Sequence, residues 1–305
     1  DGPAVGEVGP GESLGEIALL TGQPHSAQAV ALRPVRTATL DRRGFEALAQ
    51  ARFAVAQFRG VFQLDGGVHG LIILGSLGEN ATLSIAEKLE MVGFFAGQER
   101  RGRPLIACIA ESSTRDAIEF AGAAEAAGAD GFMLLPPMRY ASDRRETLAY
   151  LHDVAAATAL PFMLYNNPIA YGTDISPEDF LKLADNPKFE AIKESAADTR
   201  RFADIRRLTG DRFALFCGVD DLALECFALG AQGWVAGLVV AFPRETVRLW
   251  ELCRDGRWAE ARALYEWFLP LLHLDIGPKF VANSVPVDAT KSGIEVLIVN
   301  GLPDD

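Results

Sequence analysis

The chain has 305 residues, 49% of them hydrophobic, and a formal net charge of −12. A chain of this length can bury one large hydrophobic core or two modest ones. The acidic balance argues against nucleic acid or an anionic membrane surface as a partner. There is no run of about 18 apolar residues and no basic-then-apolar leader, so we expect a cytoplasmic protein without a membrane span.

The cysteine and histidine patterns predict a protein without a metal or other cofactor. The four cysteines contain no Cys-x-x-Cys pair, and the four histidines are scattered without metal-ligand spacing. Cys108 and Cys217 fall inside predicted buried strands, which favours packing over a disulfide or metal ligation.

The first residues of the chain differ in pattern from the rest. A Gly15-Glu16 pair is followed by a short apolar run and by His25-Ser26-Ala27. This stretch is similar to the phosphate-binding cassette of cyclic-nucleotide-binding domains, in which helix amides and an arginine hold the cyclic phosphate. His25 stands at the arginine position and lacks the planar guanidinium fork. We therefore expect residues 1–34 to be a partial domain of this kind that does not bind cyclic nucleotide.

A strand and a helix are predicted next. Residues 35–40 alternate between apolar and polar side chains, and Asp41 can cap a helix that runs to about residue 63. This pair has the spacing of a first strand and helix for the regular pattern that begins at Gly70.

From Gly70 onward, buried strands and amphipathic helices alternate. Strands are predicted at 70–75, 104–109, 131–135, 161–165, 189–193, 213–217 and 233–236, and helices near 84–98, 115–127, 143–158, 177–185, 198–208, 220–229, 243–254 and 257–271. This alternation predicts a parallel sheet with right-handed crossovers. Seven strands are one short of a closed eight-stranded barrel. The eighth is expected from 35–40, with 295–299 in the tail 280–305 as the rival.

Three of the predicted strands end in groups that suit catalysis. The first breaks into a Gly-rich turn at Gly75, another ends at Tyr165, and a third ends at Lys193. A lysine that ends a buried strand loses hydration, which lowers its pKa and makes the neutral amine a usable nucleophile. The alternative is an ordinary lysine leaving a strand for solvent. Such strand ends meet where a (β/α)8 barrel builds its active site.

Four motifs follow one another at barrel spacing. They are Gly75-Ser76-Leu77-Gly78-Glu79, Tyr165-Asn166-Asn167-Pro168, Ile192-Lys193-Glu194-Ser195 and Gly218-Val219-Asp220-Asp221. With them, the chain from about His69 to Lys279 resembles the dihydrodipicolinate synthase / N-acetylneuraminate lyase family of Schiff-base lyases. The resemblance implies an α/β fold, a (β/α)8 TIM barrel, which we place at residues 35–279. We also expect a homodimer or homotetramer.

The resemblance also implies roles for individual residues. Lys193 forms the Schiff base with a 2-keto or 2-imino acid, and Tyr165 transfers the proton, although an interior tyrosine with a satisfied hydroxyl is the plainer alternative. The turn at Gly75, Ser76, Leu77 and Gly78 offers backbone amides and the Ser76 hydroxyl to the substrate carboxylate. Leu77 replaces a threonine of the family's proton relay. The backbone carbonyl of Val235 faces the substrate.

The substrate is expected from two departures from the family pattern. Ala170 stands where dihydrodipicolinate synthases carry an arginine for a second carboxylate, which disfavours lysine biosynthesis. The motifs are most similar to those of 1-pyrroline-4-hydroxy-2-carboxylate deaminases, which act hydrolytically and release ammonia. The alternatives are a pyruvate-dependent aldolase or a sugar-acid dehydratase on the same lysine. A cyclic-nucleotide-sensing regulator and a spliced chain without a stable barrel also remain open.

Overall fold

A computed structural model describes residues 64–76, 80–237 and 242–273, and the backbone of 294–299. All of them belong to one compact unit, Phe53–Asp305. The described strands form a single closed barrel in which each strand pairs with the strands before and after it in the chain.

Eight strands line this barrel and helices follow most of them. The strands are β1 (Gly70–Ile73), β2 (Leu105–Ile109), β3 (Gly131–Leu134), β4 (Phe162–Asn166), β5 (Phe189–Glu194), β6 (Ala214–Cys217), β7 (Gly233–Ala236) and β8 (Ile294–Val299). The helices in the described ranges are α1 (Ile85–Ala96), α2 (Thr114–Ala126), α3 (Arg144–Ala156), α4 (Pro168–Tyr171), α5 (Pro177–Leu183), α6 (Arg200–Thr209), α7 (Ala223–Ala228), α8 (Pro243–Arg254) and α9 (Trp258–Leu272), with 3-10 turns at Asn80–Thr82 and Asp220–Leu222. The seven strands predicted after Gly70 are confirmed.

Local signals in the sequence explain where several helices begin. The side chain of Ser84 accepts a hydrogen bond from the backbone N–H of Glu87, whose carboxylate accepts in return from the Ser84 N–H. Asp143 with Glu146, and Ser176 with Asp179, form the same reciprocal pair at α3 and α5. These caps satisfy amides that the first turn leaves without a partner, so each helix starts at a fixed distance from its strand.

The core consists of side chains from the strands and from the inward faces of the helices. Phe132, Phe162 and Phe189 lie on three successive strands, and their rings contact one another with centroids 5.3 and 6.2 Å apart. All four cysteines are buried and have free thiols. Within the described ranges, none of the helices combines the length and the apolar character that crossing a bilayer requires.

The eighth strand differs from the expectation. Strands β1 to β7 are parallel neighbours, whereas β8 is antiparallel to both β1 and β7, with Leu71 opposite Val296 and Trp234 opposite Ile298. The prediction that 35–40 pairs beside β1 is therefore wrong and its rival in the tail is confirmed, because a strand has two edges and β2 and β8 occupy those of β1. Residues 35–63 lie outside the described ranges, and the boundaries drawn at 34 and 279 stay predictions.

The direction of β8 agrees with the place where the described helices before it end. Helices α8 and α9 are joined by a short connection at Gly256, which makes neighbouring helices antiparallel. Helix α9 consequently returns toward the carboxyl ends of the strands, where His273 Nε2 lies 4.0 Å from Asp221 Oδ2. A strand that starts from this end runs against its neighbours, and Ile294 lies opposite Ile73 at the end of β1.

We predict that a chain ending at residue 293 loses cooperative thermal unfolding and aggregates. Removal of β8 exposes the unpaired backbone groups of β1 and β7 along two edges of an apolar sheet. The control is a chain ending at residue 299, which keeps β8. Thermal unfolding followed by circular dichroism distinguishes the two, and a cooperative transition at the full-length midpoint for the shorter chain would contradict the closure by β8.

Candidate active site

The lysine and tyrosine singled out from the sequence are paired across two neighbouring strands. Tyr165 on β4 lies opposite Lys193 on β5 in the parallel register. Both side chains are buried, and Lys193 Nζ lies 4.2 Å from the centroid of the Tyr165 ring. This contact holds the amine beside the face of the Tyr165 ring. The two residues are in position to act on one substrate atom.

The remaining predicted site residues divide into three groups. Gly75 and Ser76 follow β1 and lie in the described part of the chain, and Ser76 contacts the same tyrosine cluster as Lys193. Val235 is buried in β7 and lies opposite Leu297 of β8. Leu77 and Gly78 lie outside the described residues.

Gly218 leaves the space that the lysine side chain occupies. A methyl group built on Gly218 would overlap Ser195 Oγ and would lie 2.8 Å from Lys193 Cγ and 2.9 Å from Lys193 Cε. Carbon atoms do not approach that closely without displacement, so glycine at the end of β6 is required for the lysine conformation. The fourth sequence motif thus contributes space to the site, because Gly218 has no side chain.

Asn167 connects two parts of the tyrosine motif. Its Nδ2 donates to the Tyr165 hydroxyl oxygen at 3.2 Å, and its Oδ1 accepts from the backbone N–H of Ala170 at 3.0 Å, which caps α4. Because the Tyr165 hydroxyl oxygen accepts from Asn167, the proton of that hydroxyl is directed to a different acceptor. This arrangement suits a residue that must donate a proton inside the barrel mouth.

A second tyrosine, which the sequence did not single out, belongs to the same cluster. The hydroxyl of Tyr171, the last residue of α4, hydrogen-bonds to Ser76 Oγ. Its ring meets that of Tyr165 edge to face, with centroids 5.8 Å apart. Burial and the neighbouring Tyr165 raise the pKa of the Tyr171 hydroxyl, although Ser76 and Lys193 oppose the change. Tyr171 therefore stays protonated. The one signal in the sequence that could have identified Tyr171 is its position six residues after Tyr165.

A buried ion pair fixes the end of β5 directly beside the lysine. Glu194 Oε2 accepts from Arg201 Nε at 2.9 Å, and its Oε1 accepts from Asn166 Nδ2 at 3.1 Å and from the Ala196 N–H at 2.8 Å. Arg201 Nη2 also donates to the carbonyl of Ile175 at 2.6 Å. Burial raises the pKa of Glu194, and the charge of Arg201 and these hydrogen bonds oppose that rise. The network ties β4, β5 and α6 together.

The turn after β1 is held by Asn80. Leu74 adopts a left-handed backbone conformation with φ of 64°, which is uncommon for a residue with a side chain of this size. Asn80 Nδ2 donates to the carbonyl of Leu74 at 2.8 Å, and Asn80 is buried. This bond fixes the point at which the chain leaves the strand and positions Gly75 and Ser76.

The described residues hold no cluster of three or more histidine, cysteine or acidic side chains arranged to bind a metal ion. The Lys193 amine and the nearby Tyr165 hydroxyl suit nucleophilic attack and proton transfer.

Comparisons with known proteins agree with this geometry. The model of the Dihydrodipicolinate synthetase family matches residues 50–292, and that of the Cyclic nucleotide-binding domain matches residues 1–52. The second match confirms the amino-terminal resemblance, in residues that lie outside the described ranges. Whether this segment binds a nucleotide stays a prediction.

Similar curated proteins and solved structures carry related names. The 4-hydroxy-tetrahydrodipicolinate synthase of Geotalea daltonii is 31% identical over 74% of this chain and 77% of its own length. That of Cellvibrio japonicus is 34% identical over 69% of this chain and 72% of its own. The structure of the E. coli K12 prophage protein YagE, in complex with pyruvate, superposes with a TM-score of 0.72 and 26% identity, covering 76% of this chain and 80% of that one.

We predict that Arg201→Met destabilises the protein more at pH 8 than at pH 5. Without Arg201 the pKa of Glu194 rises further, because the opposing charge is lost. Between the ordinary glutamate pKa and the raised value, the unfolded state gives up its proton while the folded state keeps it, so the free energy of unfolding falls with rising pH. The loss should reach about 3 kcal/mol at pH 8, the cost of breaking a buried pair.

Arg200→Met is the matched control for this measurement. The Arg200 guanidinium is exposed and pairs only with the neighbouring Asp198 among the described residues, so the free energy of unfolding should be nearly unchanged. Urea unfolding at both pH values gives the comparison. An equal loss at pH 5 and pH 8 for Arg201→Met would show that packing, not the buried charge of Glu194, is responsible.

Proposed function

The chain belongs to the dihydrodipicolinate synthetase family, a family of lyases, and on this premise we propose that it is a pyruvate-dependent Schiff-base lyase of the aldolase type. The observation that carries the proposal is the buried amine of Lys193 above the Tyr165 ring, on paired strands at the carboxyl end of the barrel. The structure of YagE in complex with pyruvate supports a 2-oxo acid as the donor substrate.

The proposed chemistry begins with the neutral amine of Lys193. Its nitrogen lone pair attacks C2 of the 2-oxo acid, a C–N bond forms, and the carbonyl electron pair moves to oxygen, which takes a proton from Tyr165. The Tyr165 oxygen next takes a proton from the nitrogen and passes it to the hydroxyl group, the C–O bond breaks, water leaves, and a cationic imine remains. The deprotonated Tyr165 then removes a proton from C3 to give an enamine. C3 bonds to the carbonyl carbon of an acceptor aldehyde, whose oxygen takes that proton from Tyr165. Water then hydrolyses the imine, the proton released returns to Tyr165, and Lys193 is freed as the neutral amine.

The turn after β1 is proposed to hold the substrate carboxylate. Ser76 is near enough to bond to Tyr171, which in turn packs on Tyr165, so its hydroxyl lies on the same side of the barrel mouth as Lys193. A hydroxyl and backbone amides form a neutral site that can bind an anion without leaving a buried charge unpaired when the site is empty. The roles of Leu77, Gly78 and Val235 in this site stay proposals.

The acceptor is proposed to lack a second carboxylate bound at α4. Ile169 and Ala170, which follow Pro168, provide only apolar groups, and Ile169 is 72% exposed. A carboxylate placed there would gain no charged partner from either side chain. We therefore expect a neutral aldehyde as the acceptor, although the similar proteins named above are 4-hydroxy-tetrahydrodipicolinate synthases.

The deaminase reading finds no support in the comparisons. The relatives described above are synthases. The hypothesis of a hydrolytic deamination of 1-pyrroline-4-hydroxy-2-carboxylate therefore rests only on the similarity of short sequence motifs. The aldolase alternative fits the family and its structures better. The expected homodimer or homotetramer stays a prediction.

We predict that borohydride, added with pyruvate, attaches a three-carbon adduct to the peptide containing Lys193. Lys193→Ala should abolish both labelling and turnover, because it removes the amine that forms the electron-withdrawing imine. Lys182→Ala, which removes an exposed lysine from α5, is the matched control and should be labelled like the wild type. Peptide mass spectrometry identifies the site, and an adduct on any lysine other than Lys193 refutes the assignment.

Two reactions measured on one preparation decide between aldolase and deaminase. We expect pyruvate to be consumed together with a neutral aldehyde, and at least tenfold less efficiently with aspartate semialdehyde, because residues 169 and 170 offer no cation. Little ammonia should be released from 1-pyrroline-4-hydroxy-2-carboxylate. Rapid ammonia release without pyruvate consumption would favour the deaminase.

A further inference from the structure

Tyr171 contacts the proposed carboxylate site through a single hydroxyl pair. It ends α4, after β4, whereas Ser76 follows β1, so their hydrogen bond joins elements that are 95 residues apart in the chain. Tyr171 is partly buried and its ring packs on Tyr165. The two contacts place Tyr171 beside both Ser76 and Tyr165.

The direction of this hydrogen bond is decided by what Ser76 must do. A serine hydroxyl has one proton to donate, and its oxygen can accept two hydrogen bonds. A carboxylate only accepts, so Ser76 can bind it only by donating that single proton. Tyr171 must then be the donor to Ser76 Oγ. A chain of donors results, from Tyr171 to Ser76 to the carboxylate, in which each bond polarises the next.

Two features keep Tyr171 suited to this role. Burial and the nearby Tyr165 raise the pKa of its hydroxyl, so the proton that it must donate is present throughout the neutral range. Asn167 caps α4 through Ala170 and donates to Tyr165, so one side chain fixes the short helix relative to the neighbouring tyrosine. The helix ends at Gly172, whose φ of 74° terminates it immediately after Tyr171.

We propose that Tyr171 is a positioning residue that directs the Ser76 proton toward the carboxylate of the 2-oxo acid donor. This inference rests on the proposed function, since it presupposes that the substrate forms an imine with Lys193. Tyr171 would not touch the reacting carbon atoms. It would determine how tightly the carboxylate is held while Lys193 attacks.

The test is Tyr171→Phe, which removes the hydroxyl and keeps the ring that packs on Tyr165. The pyruvate concentration that gives half-maximal borohydride labelling of Lys193 should rise up to about tenfold, the upper range for the loss of one hydrogen bond between neutral groups. Labelling at saturating pyruvate should stay complete, because the lost interaction contributes to binding and not to the reacting centre. Labelling by acetone, which has no carboxylate, should not change.

A double-variant cycle separates positioning from a general structural effect. Ser76→Ala should raise the half-maximal pyruvate concentration by a similar factor, and the Tyr171→Phe/Ser76→Ala variant should rise no further than Ser76→Ala alone. Tyr265→Phe is the matched control. It removes the hydroxyl of a tyrosine in α9 that donates to the carbonyl of Asp221, and it should leave pyruvate labelling unchanged.

The outcomes distinguish this inference from the proposed function. A wild-type half-maximal pyruvate concentration in Tyr171→Phe, an effect that multiplies in the double variant, or an equal loss with acetone would each overturn the role of Tyr171 while Lys193 labelling stands. Absence of Lys193 labelling in the wild-type protein with pyruvate would instead overturn the proposed function.

Discussion

The parallel register of β4 and β5 is the constraint on which the site depends. It places Tyr165 directly opposite Lys193, so a shift by one residue would turn one of the two side chains to the other face of the sheet. A bulge between Phe162 and Met163 adjusts the pairing early in β4, and from Met163 to Asn166 the register is continuous. Tyr165 and Lys193 thus follow an irregularity and lie within the regular stretch of the ladder.

The residues around this strand pair mainly limit the conformations that the lysine side chain and the strand ends can adopt. Gly218 leaves room for the lysine side chain, and Asn80 holds the exit of β1. Glu194 and Arg201 fix the next position along β5 with a buried ion pair, whose geometry satisfies most of the polar atoms involved. Such networks cost desolvation but permit few alternative arrangements. A nucleophile held between them loses little entropy when it reacts.

The strands, the helices and the lysine–tyrosine pair could be predicted from the sequence because each depends on a local pattern. Periodicity marks a buried strand, and parallel strand ends meet at one face. Tyr171 and Asn80 could not be predicted in the same way, since their roles depend on bonds to residues far away in the chain or around a turn. The prediction of the eighth strand was wrong for a related reason. Proximity in sequence favoured 35–40, yet pairing is decided by which segment reaches the open edges, and that segment is β8.

The antiparallel β8, in place of a parallel strand, affects the side of the site near β1 and β7 more than the side near β4 and β5. Strand β8 borders β1 and β7, which carry the Ser76 turn and Val235, whereas β4 and β5 lie across the barrel from it. The amine and Tyr165 therefore keep the neighbours that a parallel barrel gives them. The side that carries Ser76, where we propose that the carboxylate binds, instead adjoins a strand that begins, at Ile294, where its neighbours end. If the unusual strand alters the chemistry, the physical expectation is a change in which acid binds, with imine formation at Lys193 preserved.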